Sequence, residues 1–97
     1  MELSNHDIRI IKDYFQDKPV LNAFLFGSFA RNEGSKESDV DILVKLDYSK
    51  HTGLEFINMK FDLEDRLHKK IDIVSSNAIS KHILPFIDND KKLIYER

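Results

Sequence analysis

Ninety-seven residues, 41% hydrophobic and 33% charged, suffice for one globular domain over 1–97 with a single core, and they argue against disorder. Fifteen basic and 17 acidic residues are interspersed to a formal charge of −2, so nucleic acid is an unlikely main ligand, because that affinity rests on many Lys/Arg–phosphate contacts. No apolar run reaches the roughly 20 residues of a membrane span, the start MELSNHDIRI lacks a signal core, and cysteine is absent, which together suggest a cytoplasmic protein with neither disulfides nor thiolate metal sites.

In chain order, Ser4-Asn-His-Asp7 has the form of a helix cap. Ile8, Ile11 and Phe15 then recur at helical spacing, which predicts a helix from Ser4 to Gln16 that stops before Pro19 and covers a sheet. Val20 to Phe26 is aliphatic and aromatic, too short for a typical helix and stopped by Gly27, so it reads as a strand. Ser28 to Asn32 reads as a helical turn and 33–37 as a polar loop. Ser38 to Leu46 is a second strand whose alternation sends Val40, Ile42 and Val44 to one face and Asp39, Asp41 and Leu43 to the other.

After a polar connection, Thr52 to His68 is expected to be helical, with Leu54, Ile57 and Phe61 on one stripe and Leu63 and Leu67 beside it. Lys70 to Ser75 repeats the second strand's pattern and carries Asp72 opposite Ile71 and Ile73. Ser75, Ser76 and Asn77 offer caps for a helix reaching Leu84 or Ile87, which Pro85 should kink or end. The tail Lys91 to Glu96 suits a strand better than a last helical turn. The expected fold is therefore α+β: a small mixed sheet with helices packed on one face and carboxylates on the other.

Asp39, Asp41 and Asp72, if their two strands are neighbours, would crowd three like charges unless a cation sits among them. Oxygen-only ligands favour Mg²⁺, with Mn²⁺ possible, and two such ions about 4 Å apart suit in-line phosphoryl transfer. Backbone N–H groups at Gly27 and Ser28, the Ser28 hydroxyl and the Arg31 guanidinium would bind phosphate. A P-loop is excluded, since no Gly-Lys-Ser/Thr occurs. The bland alternatives are strand-edge acids, an ordinary Gly-Ser turn and a solvated Arg31. His6, His51, His68 and His82 show no ligand spacing, the acids of the expected 52–68 helix and the Lys69-Lys70 and Lys91-Lys92 pairs read as solvated, and none of Tyr14, Tyr48 and Tyr95 is marked as an acceptor.

Gly27-Ser28, ten intervening residues, Asp39-x-Asp41 and a later Asp72 on a strand together resemble the DNA polymerase beta nucleotidyltransferase superfamily. Arg31, the short chain and the IDIV strand look most like its minimal nucleotidyltransferase (MNT) branch, and the resemblance runs from Ser4 to about Tyr95. It implies a nucleotidyltransferase fold in which Asp39, Asp41 and Asp72 are catalytic and bind two Mg²⁺ ions, Asp72 helps deprotonate the attacking hydroxyl, and Gly27, Ser28 and Arg31 bind the nucleotide. It also implies transfer of AMP from ATP to a hydroxyl, most of all a tyrosine of a HEPN ribonuclease toxin, with the chain acting as antitoxin. The alternatives are an antitoxin that neutralises its partner by contact alone, and transfer to a small molecule or RNA.

Overall fold

The computed structural model describes residues 3–27, 29–30, 39–47, 53–76, 78–79, 81–82 and 84–97. Helix α1 spans Asn5–Phe15, and the hydroxyl of Ser4 caps it by accepting from the Asp7 amide at 3.0 Å. Its inner stripe of Ile11, Tyr14 and Phe15 is buried. Beyond Gln16 the chain turns, Pro19 is buried, and strand β1 (Val20–Phe26) begins.

Strand β2 (Val40–Leu46) pairs antiparallel with β1. Helix α2 (Gly53–Leu67) then carries the chain back so that β3 (Ile71–Ser75) can lie parallel to β2, a pairing no tight hairpin can make. Strand β4 (Lys92–Glu96), as the tail pattern suggested, adds antiparallel to β1, giving the sheet order β3-β2-β1-β4. The α+β expectation holds: the sheet is mixed, and α1 and α2 pack on one face.

That face makes the core. Val40, Ile42 and Val44 are fully buried against Ile11 and Phe15 of α1 and Met59 and Leu63 of α2, with Ala23 and Leu25 of β1 and Ile94 and Tyr95 of β4 continuing the core along the sheet. An irregularity between Val20 and Asn22 shifts the β1 register, which lets Val20 and Ala23 both face inward despite their odd separation.

The third helix corrects the expectation drawn from Pro85. Helix α3 spans Leu84–Asp90, so Pro85 lies in its first turn and does not terminate it. A first-turn residue has no intrahelical partner for its N–H, and proline's fixed φ already suits a helix there. Ser76, Ala78, Ile79, Lys81 and His82 form turns and a bend ahead of it, while the proposed cap Asn77 lies outside the described residues, as do Ile83 and residues 31–38. Leu84 and Asp88 of α3 border a cleft with Asn22, Phe24, Leu43 and Lys45 on the sheet face away from α1 and α2. Lys91 reaches to 4.5 Å from the Phe24 ring there. This screening explains why Leu43 is buried although it shares its parity with the acids.

Candidate active site

The carboxyl end of β1 meets the beginning of β2 where Phe26 opposes Asp41. The next residue, Gly27, has φ +74°, a left-handed conformation that side chains rarely tolerate. The Asp41 carboxylate packs over it: a Cβ at Gly27 would overlap Asp41 Oδ2 and stand 3.2 Å from Cγ. Gly27 is thus required twice, by its backbone and by the closeness of the acid. Its carbonyl accepts from the Ala30 amide at 3.1 Å, closing a turn whose Phe29 and Ala30 are buried in the core. Ser28 and Arg31 lie outside the described residues.

On the other side of β2, Asp41 is the registered partner of Asp72 on β3. Registered residues of parallel strands point to the same face, with strands about 4.8 Å apart, so the two carboxylates are neighbours opposite the buried Val40, Ile42 and Ile71. Asp39 is exposed immediately before β2, where the Val40 amide donates to the Lys70 carbonyl at 2.8 Å and ties the two strand starts together. Asp39 and Asp72 line one groove of about 450 Å³ with Lys60, Phe61, Glu64, Lys70 and Ile71. The acids are therefore distributed: Asp41 lies over Gly27 toward β1, while Asp39 and Asp72 line the groove at the β3 edge. Among the described residues no three His, Cys, Asp or Glu side chains stand close enough together to hold one metal ion between them.

Residues 9–97 match the polymerase beta nucleotidyltransferase family. The chain belongs to that family. Two proteins of Methanocaldococcus jannaschii, both provisionally named protein adenylyltransferases, are 42% identical over 62% of this chain and 63% of their own length, and 38% identical over 90% and 84%, respectively. In three dimensions the fold resembles a chain of the complex between a tri-AMPylated Shewanella oneidensis HEPN toxin and an MNT antitoxin. The TM-score is 0.74 at 16% identity, over 98% of this chain and 74% of that one.

For this nucleotidyltransferase the groove walls are what sequence reasoning missed. Glu64 and the Lys69-Lys70 pair read as solvated charge, yet Glu64 Oε2 accepts from the Ile71 amide at 3.1 Å and thereby holds the start of the β3 edge, one residue before Asp72. Lys60 and Lys70 border the groove itself. The available signal was topological: a helix that returns the chain to a parallel strand lays its last turns beside that strand's first residues. The tyrosines also resolve in part. Tyr14 and Tyr95 are buried, and Tyr48 lies outside the described residues. The Tyr14 hydroxyl donates to Asp62 Oδ2 at 2.6 Å. Burial first, then that hydrogen bond, raises its pKa well above the ordinary tyrosine value.

Proposed function

We propose that this nucleotidyltransferase moves AMP from ATP to a protein hydroxyl, most specifically a tyrosine of a HEPN ribonuclease toxin, and so acts as that toxin's antitoxin. The observation that carries the reading is the registered Asp41–Asp72 pair beside a left-handed Gly27. The names of the relatives support AMP transfer to protein, and the AMPylated HEPN toxin held by an MNT antitoxin supports the acceptor.

In this reading Gly27 lets the triphosphate approach the backbone, with Ser28 and Arg31 as further donors to it. Asp72 takes the proton of the acceptor hydroxyl as its oxygen attacks the α-phosphorus. A new P–O bond forms, the bond from the α-phosphorus to the bridging oxygen breaks, and pyrophosphate leaves with the electron pair. The oxygen-only donor set of Asp39, Asp41 and Asp72 fits Mg²⁺, or Mn²⁺ in its place, and these three carboxylates would hold the two ions. When bound, the ions would neutralise charge on the phosphates and the leaving group.

The second reading is an antitoxin that neutralises its partner by contact with little or no transfer. Incubation with α-labelled ATP, Mg²⁺ and a HEPN protein separates the two. Transfer is expected from the intact chain and not from an Asp39→Ala/Asp41→Ala double variant. No label on the partner, with neutralisation unchanged in the variant, would sink the enzyme. Mass spectrometry of products formed with RNA and small hydroxylated acceptors reads out the remaining alternative.

A further inference from the structure

The face of the sheet that carries the acids also carries the cleft under α3. Strand register sets Phe26 opposite Asp41, Phe24 opposite Leu43 and Asn22 beside Lys45, at successive levels of β1 and β2. Strand alternation puts all three levels on the face away from α1 and α2. The first level ends at Asp41, which packs over Gly27, and the other two floor the cleft, whose volume is about 370 Å³. Acids and cleft are consecutive stretches of one surface.

The lining of the cleft differs from that of the groove at the β3 edge. Phe24, Leu43 and Leu84 give it apolar walls. Its single carboxylate, Asp88, is paired with Lys91 at 2.8 Å, and Lys91 in turn lies 4.5 Å from the Phe24 ring centroid. The far end, away from Asp41, is polar. There stand Asn22, Lys45 and Ser76, the last fixed to β2 by its amide, which donates to the Val44 carbonyl at 2.8 Å. Apolar walls with a few polar groups gathered at one end are the make-up of a small-molecule site. A planar heterocycle suits it, with apolar faces for the walls and with ring nitrogens and amino groups for the polar end.

The strands set the spacing. Leu43 is two residues beyond Asp41 and Lys45 four, roughly 7 and 14 Å along a strand. With an α-phosphate at Asp41 and the triphosphate turned toward Gly27, a ribose covers the first interval and a base covers the second. The groove of Asp39 and Asp72 lies across the strands from Asp41 and not along them, so an acceptor there leaves the cleft open.

We infer that the cleft under α3 holds the purine base of the donor nucleotide, packed between Leu43 and Leu84, with the Asn22 amide and the Lys45 ammonium at its edge. An amide offers a donor and an acceptor side by side, the pattern that a purine edge matches. This deepens the AMP-transfer reading and rests on it for the place of the phosphates.

The test titrates the ¹⁵N-labelled full chain, in Mg²⁺, with a non-hydrolysable ATP analogue, the corresponding CTP analogue and inorganic tripolyphosphate. The ATP analogue is expected to shift amides of residues 22–24, 43–45, 84 and 91 together with those of Gly27 and Asp41, and tripolyphosphate only the last two. Leu84→Trp fills the cleft and Asn22→Ala removes the amide. Each should weaken the ATP analogue about tenfold, one decade in Kd, and leave tripolyphosphate binding unchanged. The CTP analogue, whose single ring fills less of the cleft, should bind the parent about tenfold more weakly than the ATP analogue. Asn22 is half-buried in a strand, so its variant keeps the test alive if Leu84→Trp does not fold. ATP-analogue shifts confined to Gly27, Asp41 and Asp72, or equal binding by parent and variants, overturn the base site. Shifts of the cleft by tripolyphosphate do the same, making Lys45 and Lys91 an anion site, and equal affinity for the CTP analogue rejects a purine. AMP transfer is followed in parallel by mass. Transfer whose KM for ATP ignores both variants rejects the base site and keeps the enzyme; binding as expected without transfer keeps the base site and rejects the enzyme reading.

Discussion

The two faces of β2 are put to different uses. Val40, Ile42 and Val44 are sealed under α1 and α2, whereas Asp39 and Asp41, in the alternate positions, face Gly27 and the β3-edge groove. The run from Asp39 to Leu46 thus holds the core with one parity and presents carboxylates with the other. Substitutions on the two faces should therefore fail in different ways, one losing activity and the other stability.

The largest effect is expected on the open face. Asp41→Asn should lower AMP transfer by about 10³-fold, the scale of losing a preorganised charged group at a reacting centre, while the denaturation midpoint stays within error of the parent. A variant that transfers normally, or that unfolds, would erase the distinction between the faces. On the sealed face Ile42→Ala should cost about 2–5 kcal/mol of stability by urea unfolding, with transfer by the remaining folded fraction little changed.

Where the faces meet, Gly27→Ala should lose both properties. Forcing a Cβ into a left-handed residue costs about 1–2 kcal/mol, and the Asp41 carboxylate must move aside, so transfer should fall as well. Glu64→Ala should cost about 1–2 kcal/mol, because the Ile71 amide loses its acceptor. Glu64→Gln keeps an acceptor and should recover most of both stability and transfer. If Gln does no better than Ala, Glu64 acts through its charge and not through the β3 edge.

The smallest effect lies between the helices of the sealed side, where Tyr14 of α1 donates to Asp62 of α2. The unfolded phenol ionises near the ordinary value of 10.0 and the folded one later. The stabilisation is therefore complete below about pH 10 and is lost as pH climbs toward the folded value. Tyr14→Phe should cost about 1 kcal/mol at neutral pH, and its gap to the parent in urea unfolding should shrink in alkali.

The sheet, α1 and the span of α2 were legible because period-two and period-3.6 patterns are local, and Val20–Phe26 is bounded by residues, Pro19 and Gly27, that enforce its ends; the buried face of α2 was not, since Met59, Leu63 and Leu67 take the core while Ile57 and Phe61 of the expected stripe are exposed. Pro85 misled because proline disfavours a helix interior and suits a first turn equally well, and only the fold says which applies. The acids were legible as a set of positions. That Asp72 would stand beside Asp41 depended on a parallel pairing made by α2, and the roles of Lys60, Glu64 and Lys70 depended on the same crossover, which no window of the sequence contains. Nor does strand alternation reveal that Asp41 packs onto Gly27 while Asp39 and Asp72 line the groove.

The central claim is that nucleotide and metal meet on the open face, between Gly27 and Asp72. Mn²⁺ titrated with a non-hydrolysable ATP analogue into the ¹⁵N-labelled chain tests it by paramagnetic broadening. Amides of Gly27, Asp41 and Asp72 should broaden first, and Asp41→Asn should abolish the effect. Broadening centred instead on Asp62 and Asp65 of α2 or on Asp88 and Asp90 of α3, or broadening unchanged in the variant, would contradict it.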